Sequence, residues 1–137
     1  MGQQQLLLII LGVIIVGIAV AVGITMFQDN AVSANRDAVT NDLVQLAAKA
    51  QQFYRKPQAL GGGGNSFIKL TADTAGISLL VSPAFFNNDN GYYQILTAGT
   101  AGAVVFQGTG KTALADGSFP TYQCTVSAAG YTVTMMH

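Results

Sequence analysis

Leu6 through Phe27 is an uncharged, almost wholly apolar run, and no other feature of the chain constrains the fold as much. At 1.5 Å of helical rise per residue, its length of about 22 residues spans roughly 33 Å, enough to cross the hydrocarbon core of a bilayer. Its Leu, Ile, Val and Phe residues, at a few tenths of a kcal/mol each, favour insertion by roughly 5–9 kcal/mol before the Gly and Gln costs. A secretory signal has a basic start and an apolar core of about 7–15 residues. Here the run is longer and no Lys or Arg precedes Arg36. Although Ala31-Val32-Ser33 has the small residues of a cleavage site, the run is expected to be a retained span. Myristoylation is not indicated, because Leu6 stands where that motif needs Ser or Thr. Gly17 with Ala21, and Ala19 with Gly23, place small residues at helix-interface spacing.

The run passes without proline into a second, amphipathic segment. Apolar residues at Val32, Val39, Leu43, Leu46, Ala50 and Phe53 form one stripe of a helix. Asp37, Asn41, Asp42, Gln45 and Lys49 are expected on the other faces. Arg55 and Lys56 complement the dipole of the last turn. Pro57 ends the helix, and Gly61-Gly62-Gly63-Gly64 is expected to release the chain. Gly23 to Asn30 holds several poor helix formers, so a bend or melted turn is expected there.

The rest reads as a small sheet. Thr71–Leu80 has room for one short helix, and Ser82-Pro83 is expected to break the chain. Asn87-Asn88-Asp89-Asn90-Gly91 is a strong turn signal. Tyr92–Thr97 and Ala103–Gln107 flank Gly99–Gly102 as a hairpin. Tyr122, Cys124 and Val126, then Tyr131, Val133 and Met135, alternate with polar residues as half-buried strands do. A four-strand meander needs a cover on its apolar face. Val39, Leu43, Leu46, Ala50 and Phe53 are the candidate cover. The expected fold is α+β: a long N-terminal α-helix, apolar in its first half and amphipathic in its second, packed on an antiparallel head of about four strands. Residues 1–30 form the apolar helix and 31–137 the head, divided into helix (31–56), Gly-rich loop and connector (57–91) and sheet (92–137).

Composition narrows the functions. Only 9% of residues are charged and the formal net charge is zero, against about 25% charge for an ordinary soluble domain. So bare a surface suggests cover by other copies. Nothing is basic enough for nucleic acid. All acids are aspartates and there is one histidine, His137, expected to be mobile. The single cysteine, Cys124, reads as a small apolar residue on the inner face of a strand. Gly108-Thr109-Gly110-Lys111-Thr112 ends like a phosphate loop, but Val105 stands where that loop needs its first glycine. The Asn87–Gly91 turn has its glycine one place early for a calcium loop and no glutamate to close it. No titratable cluster suggests catalysis, so neither enzyme activity nor a cofactor or metal is expected. The head aromatics Phe53, Tyr54, Phe85, Phe86, Tyr92, Tyr93 and Tyr131 are read first as core packing.

The layout resembles that of the type IV pilins and pseudopilins. Asn35–Tyr54 (NRDAVTNDLVQLAAKAQQFY) looks like the second half of a pilin helix, and the apolar start looks like the first. Gln5 stands where that family has glutamate, Gly23 lies near the position of its helix-breaking proline, and Cys124 alone cannot close its disulfide loop. The resemblance implies a structural subunit of an extracellular helical filament. Its core would be packed through Gln5, Leu6, Leu7, Ile10, Leu11, Ile14, Ile15, Gly17, Ile18, Ala21, Val22 and Gly23. The implied partners are further copies of the chain, the inner membrane before assembly, and a platform protein with its ATPase. The rival readings are a membrane-anchored single-pass binding head and a minor pseudopilin of a secretion system.

Overall fold

The computed structural model describes residues 2–137. Helix α1 runs Gly2–Arg55, followed by a 3-10 turn at Gln58–Leu60 and two short helices, α2 (Thr74–Ser78) and α3 (Pro83–Phe86). Strands β1 (Gly91–Thr97), β2 (Ala103–Gly110), β3 (Thr121–Ser127) and β4 (Tyr131–Met135) complete the chain. The class is α+β, with the second half of a long helix packed on an open antiparallel sheet. Two compact units divide within α1, between Ser33 and Ala34. The bend expected over Gly23–Asn30 is absent, and those residues are helical throughout. Propensity costs of roughly 0.5–1 kcal/mol per residue are too small to break a ladder that no proline interrupts. Thr25 Oγ1 donates to the Ala21 carbonyl (3.1 Å), so its hydroxyl is satisfied by its own helix.

In the unit Ala34–His137, the four strands form a meander in the order β1-β2-β3-β4. Phe106 faces Ile95 on one side and Cys124 on the other, and Cys124 faces Val133. Cross-strand partners share a face, so these side chains line up under the helix. The helix stripe is buried: Val39, Leu43, Leu46 and Ala50 are wholly inaccessible and Phe53 is 6% exposed. They pack with Tyr93, Ile95, Val104, Phe106, Tyr122, Cys124 and Val126 of the sheet. Phe67, Leu70, Ile77 and Phe86 of the connector close the core. A bulge between Ile95 and Thr97 leaves Leu96 out of the ladder.

One connector expectation is corrected. The four glycines do not release the chain. They fold back on the end of α1, where Gly63 N donates to Phe53 O (2.8 Å), Gly64 N to Lys56 O (2.9 Å) and Asn65 N to Tyr54 O (2.7 Å). These bonds satisfy carbonyls that every helix end leaves free. A Cβ at Gly63 would strike the Ser66 carbonyl oxygen and crowd the Phe53 ring at 3.0 Å, so this close approach needs glycine. Ser82-Pro83 does break the chain, with Ser82 extended between α2 and α3, and it also starts a new element: Ser82 is the N-cap and Pro83 the opening residue of α3. Proline suits that position because its missing N–H would have no partner there. Nearby, Asp73 caps α2, accepting from Gly76 N (2.8 Å) and Thr71 Oγ1 (2.6 Å). The Thr71 hydroxyl, then the Gly76 amide, hold its carboxyl below the usual carboxylate range.

His137 is tied down rather than mobile. Its backbone N–H donates to Thr121 O (3.3 Å), as does that of Met136 (2.8 Å). Its ring hydrogen-bonds Ser118 Oγ and lies 3.6 Å from the Asp116 carboxylate.

Candidate functional site

The apolar surface of residues 6–27 is the first candidate. Every large apolar side chain from Leu6 to Phe27 is between 52% and 78% exposed. That range includes Leu6, Leu7, Ile10, Leu11, Ile14, Ile15, Ile18 and Val22. Gln5, Gly17 and Ala21 are also exposed, and Gly23 is partly so. The helix is long and apolar enough to cross a membrane. A Cβ built at Gly12, Gly17 or Gly23 would meet nothing within 4 Å. A glycine in a helix interior costs about 1 kcal/mol relative to alanine, and no contact among the described residues explains these three. Gly12, Ala19 and Gly23, at steps of seven and four, share one face at about 100° per residue.

The second candidate is a polar cluster inside the head. Asp42, expected on a solvated face of α1, is 8% exposed. Its Oδ2 accepts from Tyr93 Oη (2.6 Å), Asn88 Nδ2 (3.1 Å) and Asn90 Nδ2 (3.3 Å). Burying a carboxylate is costly unless hydrogen bonds replace its water, and three donors do so here. Asn35, about two helical turns away on the same stripe, donates to Asn90 O (2.7 Å). Asn35 and Asp42 lie at i−4 and i+3 from Val39, spacing that marks the buried face. That signal was available in the sequence and is the one that locates them.

This cluster explains two motifs. The Asn87–Gly91 loop turns on Asn88 Oδ1, which accepts from Asn90 N (2.9 Å) and Gly91 N (3.1 Å). The side-chain amides of Asn88 and Asn90 point donors at Asp42, so they serve as its partners rather than as cation ligands. The Gly108-Thr109-Gly110 sequence lies in extended β2. A Cβ at Gly108 would sit 3.0 Å from the Tyr93 ring and 3.1 Å from Val39 Cγ1, and one at Gly110 would strike Asn35 Oδ1. These glycines let α1 approach the sheet.

Tyr93→Phe removes the shortest donor to Asp42 and is expected to cost about 1.5–3 kcal/mol, the worth of a hydrogen bond to a charged group. Urea unfolding of the full chain in detergent measures it, and an unchanged midpoint would mean that the bond contributes nothing. Burial, then the Asp42 hydrogen bond and charge, push the Tyr93 hydroxyl upward. Burial pushes the Cys124 thiol up to about 11. Both groups keep their protons longer in the folded head than in the unfolded chain. Stability is therefore whole below the unfolded thiol value of 9.0 and is lost as pH rises through about 11. The unfolding midpoint should fall across that window, and less so in Cys124→Ala. A flat profile would contradict the burial assigned to Cys124.

Among the described residues no group of three or more His, Cys, Asp or Glu side chains is placed to hold a metal. Asp116, Ser118 and His137 meet at the surface, with the Ser118 hydroxyl donating to Asp116. The Ser118 hydroxyl, then its backbone N–H, hold the Asp116 carboxyl below the usual range, with His137 adding to the effect. The carboxylate approaches the same ring nitrogen, Nε2, that the hydroxyl engages. It is therefore not placed to orient the imidazole from the opposite nitrogen, as nucleophile activation requires. Comparison with protein-family models, with curated proteins and with solved structures found no match, and the pilin-like architecture rests on the long apolar helix and its four-strand antiparallel sheet.

Proposed function

We propose that the chain is a structural subunit that assembles with copies of itself through residues 5–23 of α1, as in a type IV pilus-like filament, and is held in a membrane before assembly. The observation that carries this reading is the contrast along one helix. From Val39 to Phe53 its apolar stripe is buried in the head, while from Leu6 to Phe27 its large apolar side chains are more than half exposed. Lipid would cover such a surface, but lipid gives no reason for glycines at Gly12, Gly17 and Gly23. Close approach of a neighbouring helix does. The low charge of the chain supports the same reading, since a surface shared with other copies needs little.

The test is removal of detergent from the purified full chain, followed by negative-stain microscopy and sedimentation. Uniform fibres support assembly. Monomeric chain that returns quantitatively to vesicles supports the rival reading, a membrane-anchored head, for which the apolar span alone speaks.

A further inference from the structure

Residues 43–72 hold four of the chain's six cations, Lys49, Arg55, Lys56 and Lys69, and no acid. They run from the later turns of α1 through the 3-10 turn and the glycine fold-back, so this charge is gathered at one end of the head. All four are exposed and, among the described residues, none makes an ion pair. Lys49 and Lys56 line a groove of about 190 Å³ whose apolar walls are Phe53, Leu79 and Leu80. Leu79 is 54% exposed there, so the groove presents apolar surface to solvent between two cations.

The loop between β2 and β3, residues 111–120, has the opposite character. Gly110 N donates to Pro120 O (2.9 Å) and closes its base. Phe119 is 48% exposed in it, whereas Phe53, Phe67, Phe86 and Phe106 are buried. The same loop carries Asp116, an exposed carboxylate. Its other charge, Lys111, is turned aside to Asn87 Oδ1 (3.2 Å). Loop and groove lie at opposite ends of the head. Asn35 closely approaches Gly110 at the mouth of the loop, and Phe53 lines the groove. From Asn35 to Phe53 the helix rises roughly 27 Å, at about 1.5 Å per residue.

We propose that the β2–β3 loop of one copy docks in the groove of the next, with Phe119 entering between the partner's Phe53, Leu79 and Leu80 and Asp116 meeting the partner's Lys49 and Lys56. A cavity of about 150 Å³ holds benzene, so the groove has room for a phenyl ring. Docking removes apolar surface from water on both sides. It also brings a negative charge to cations that have no acid of their own. One end of a head meets the other end of its neighbour, so the contact is heterologous and repeats without closing. A shift along α1 brings the two ends together with α1 of both copies pointing the same way. Copies at one height in a membrane do not make it, because their loops and grooves stand at different levels. The contact therefore belongs to the assembled form and rests on the assembly reading above.

Ala115, beside Asp116, and Ser78, beside Leu79, are exposed positions that leave loop and groove intact. The full chain carrying Ala115→Cys and Ser78→Cys in a Cys124→Ala background is assembled into fibres and treated with a short bismaleimide. The expected product on a denaturing gel is a ladder of covalent oligomers, because the two thiols belong to opposite ends of each head. Either cysteine alone should give no ladder. Lys49→Asp with Lys56→Asp should cut the ladder roughly tenfold, since like charges then face each other, and adding Asp116→Lys should restore it. Phe119→Ser should also cut it while the head keeps its melting midpoint. Fibres with no ladder, dimers alone, or a ladder indifferent to charge reversal would overturn the contact and leave assembly through the helix standing. Failure of the native chain to form fibres would overturn the assembly reading and the contact with it. Inorganic phosphate that shields Lys49 and Lys56 from acylation in the detergent-solubilised chain, with no shielding in fibres, would make the groove an anion site and overturn the proposal.

Discussion

An Ile18→Asp chain should form no fibres and insert poorly into membranes, while its head melts as the native head does. Ile18 lies well inside the apolar run and is 61% exposed, so its environment is whatever surrounds the helix. An aspartate at the centre of a span costs about 3 kcal/mol on insertion. In a dry bundle of like helices, an unpaired carboxylate costs several kcal/mol or takes up a proton. Either cost recurs in every subunit of a polymer, so a modest penalty per copy becomes a block on growth. The head is untouched, because Ile18 belongs to the unit that ends at Ser33. Normal fibres from this variant would remove the helix from the assembly surface. Loss of both fibres and head stability would mean that the two halves of α1 do not act separately.

Leu43→Asp should unfold the head. Leu43 is wholly inaccessible among Val39, Leu46, Ala47 and the sheet. Truncating a buried leucine costs about 2–5 kcal/mol before any charge is considered. The new carboxylate adds its desolvation, and the total approaches the 5–15 kcal/mol that holds a typical domain. The adjacent position shows that an acid in this helix is not itself forbidden. Asp42 is nearly as buried, yet it meets Tyr93, Asn88 and Asn90 as donors. Leu43 sits instead in the hydrophobic core cluster. Limited proteolysis and thermal melting of the full chain in detergent read the difference, and a native-like melt for Leu43→Asp would contradict the packing of helix on sheet.

Periodicity carried the elements. The stripe from Val39 to Phe53 follows the helical period and is the buried face, and alternation about Cys124 and Val133 located β3 and β4. Composition misled where a polar residue serves the interior. Asp42 and Asn35 sit on the buried stripe, but their partners come from a loop and from β1, more than forty residues away in sequence, which no local pattern reveals. The same distance hid the purpose of Gly108 and Gly110, whose missing side chains make room for Val39 and Asn35. The four glycines at 61–64 read as slack chain because the carbonyls that Gly63 and Gly64 bond, left free at the end of α1, belong to no local sequence pattern. Exposure of Tyr131 and Met135 was not legible either. Their alternation is that of a covered strand, yet Tyr131 and Met135 are about half exposed while Val133 between them packs against the core.

Copies of this chain are proposed to polymerise through residues 5–23 of α1. Negative-stain microscopy of material sheared from cells, with mass spectrometry of the protein recovered, tests it most directly. Uniform thin fibres whose protein is this chain, and whose absence accompanies Ile18→Asp, are the predicted result. Membrane fractions holding the chain only as detergent-soluble monomer, with no fibres under any growth condition in which it is produced, would contradict it.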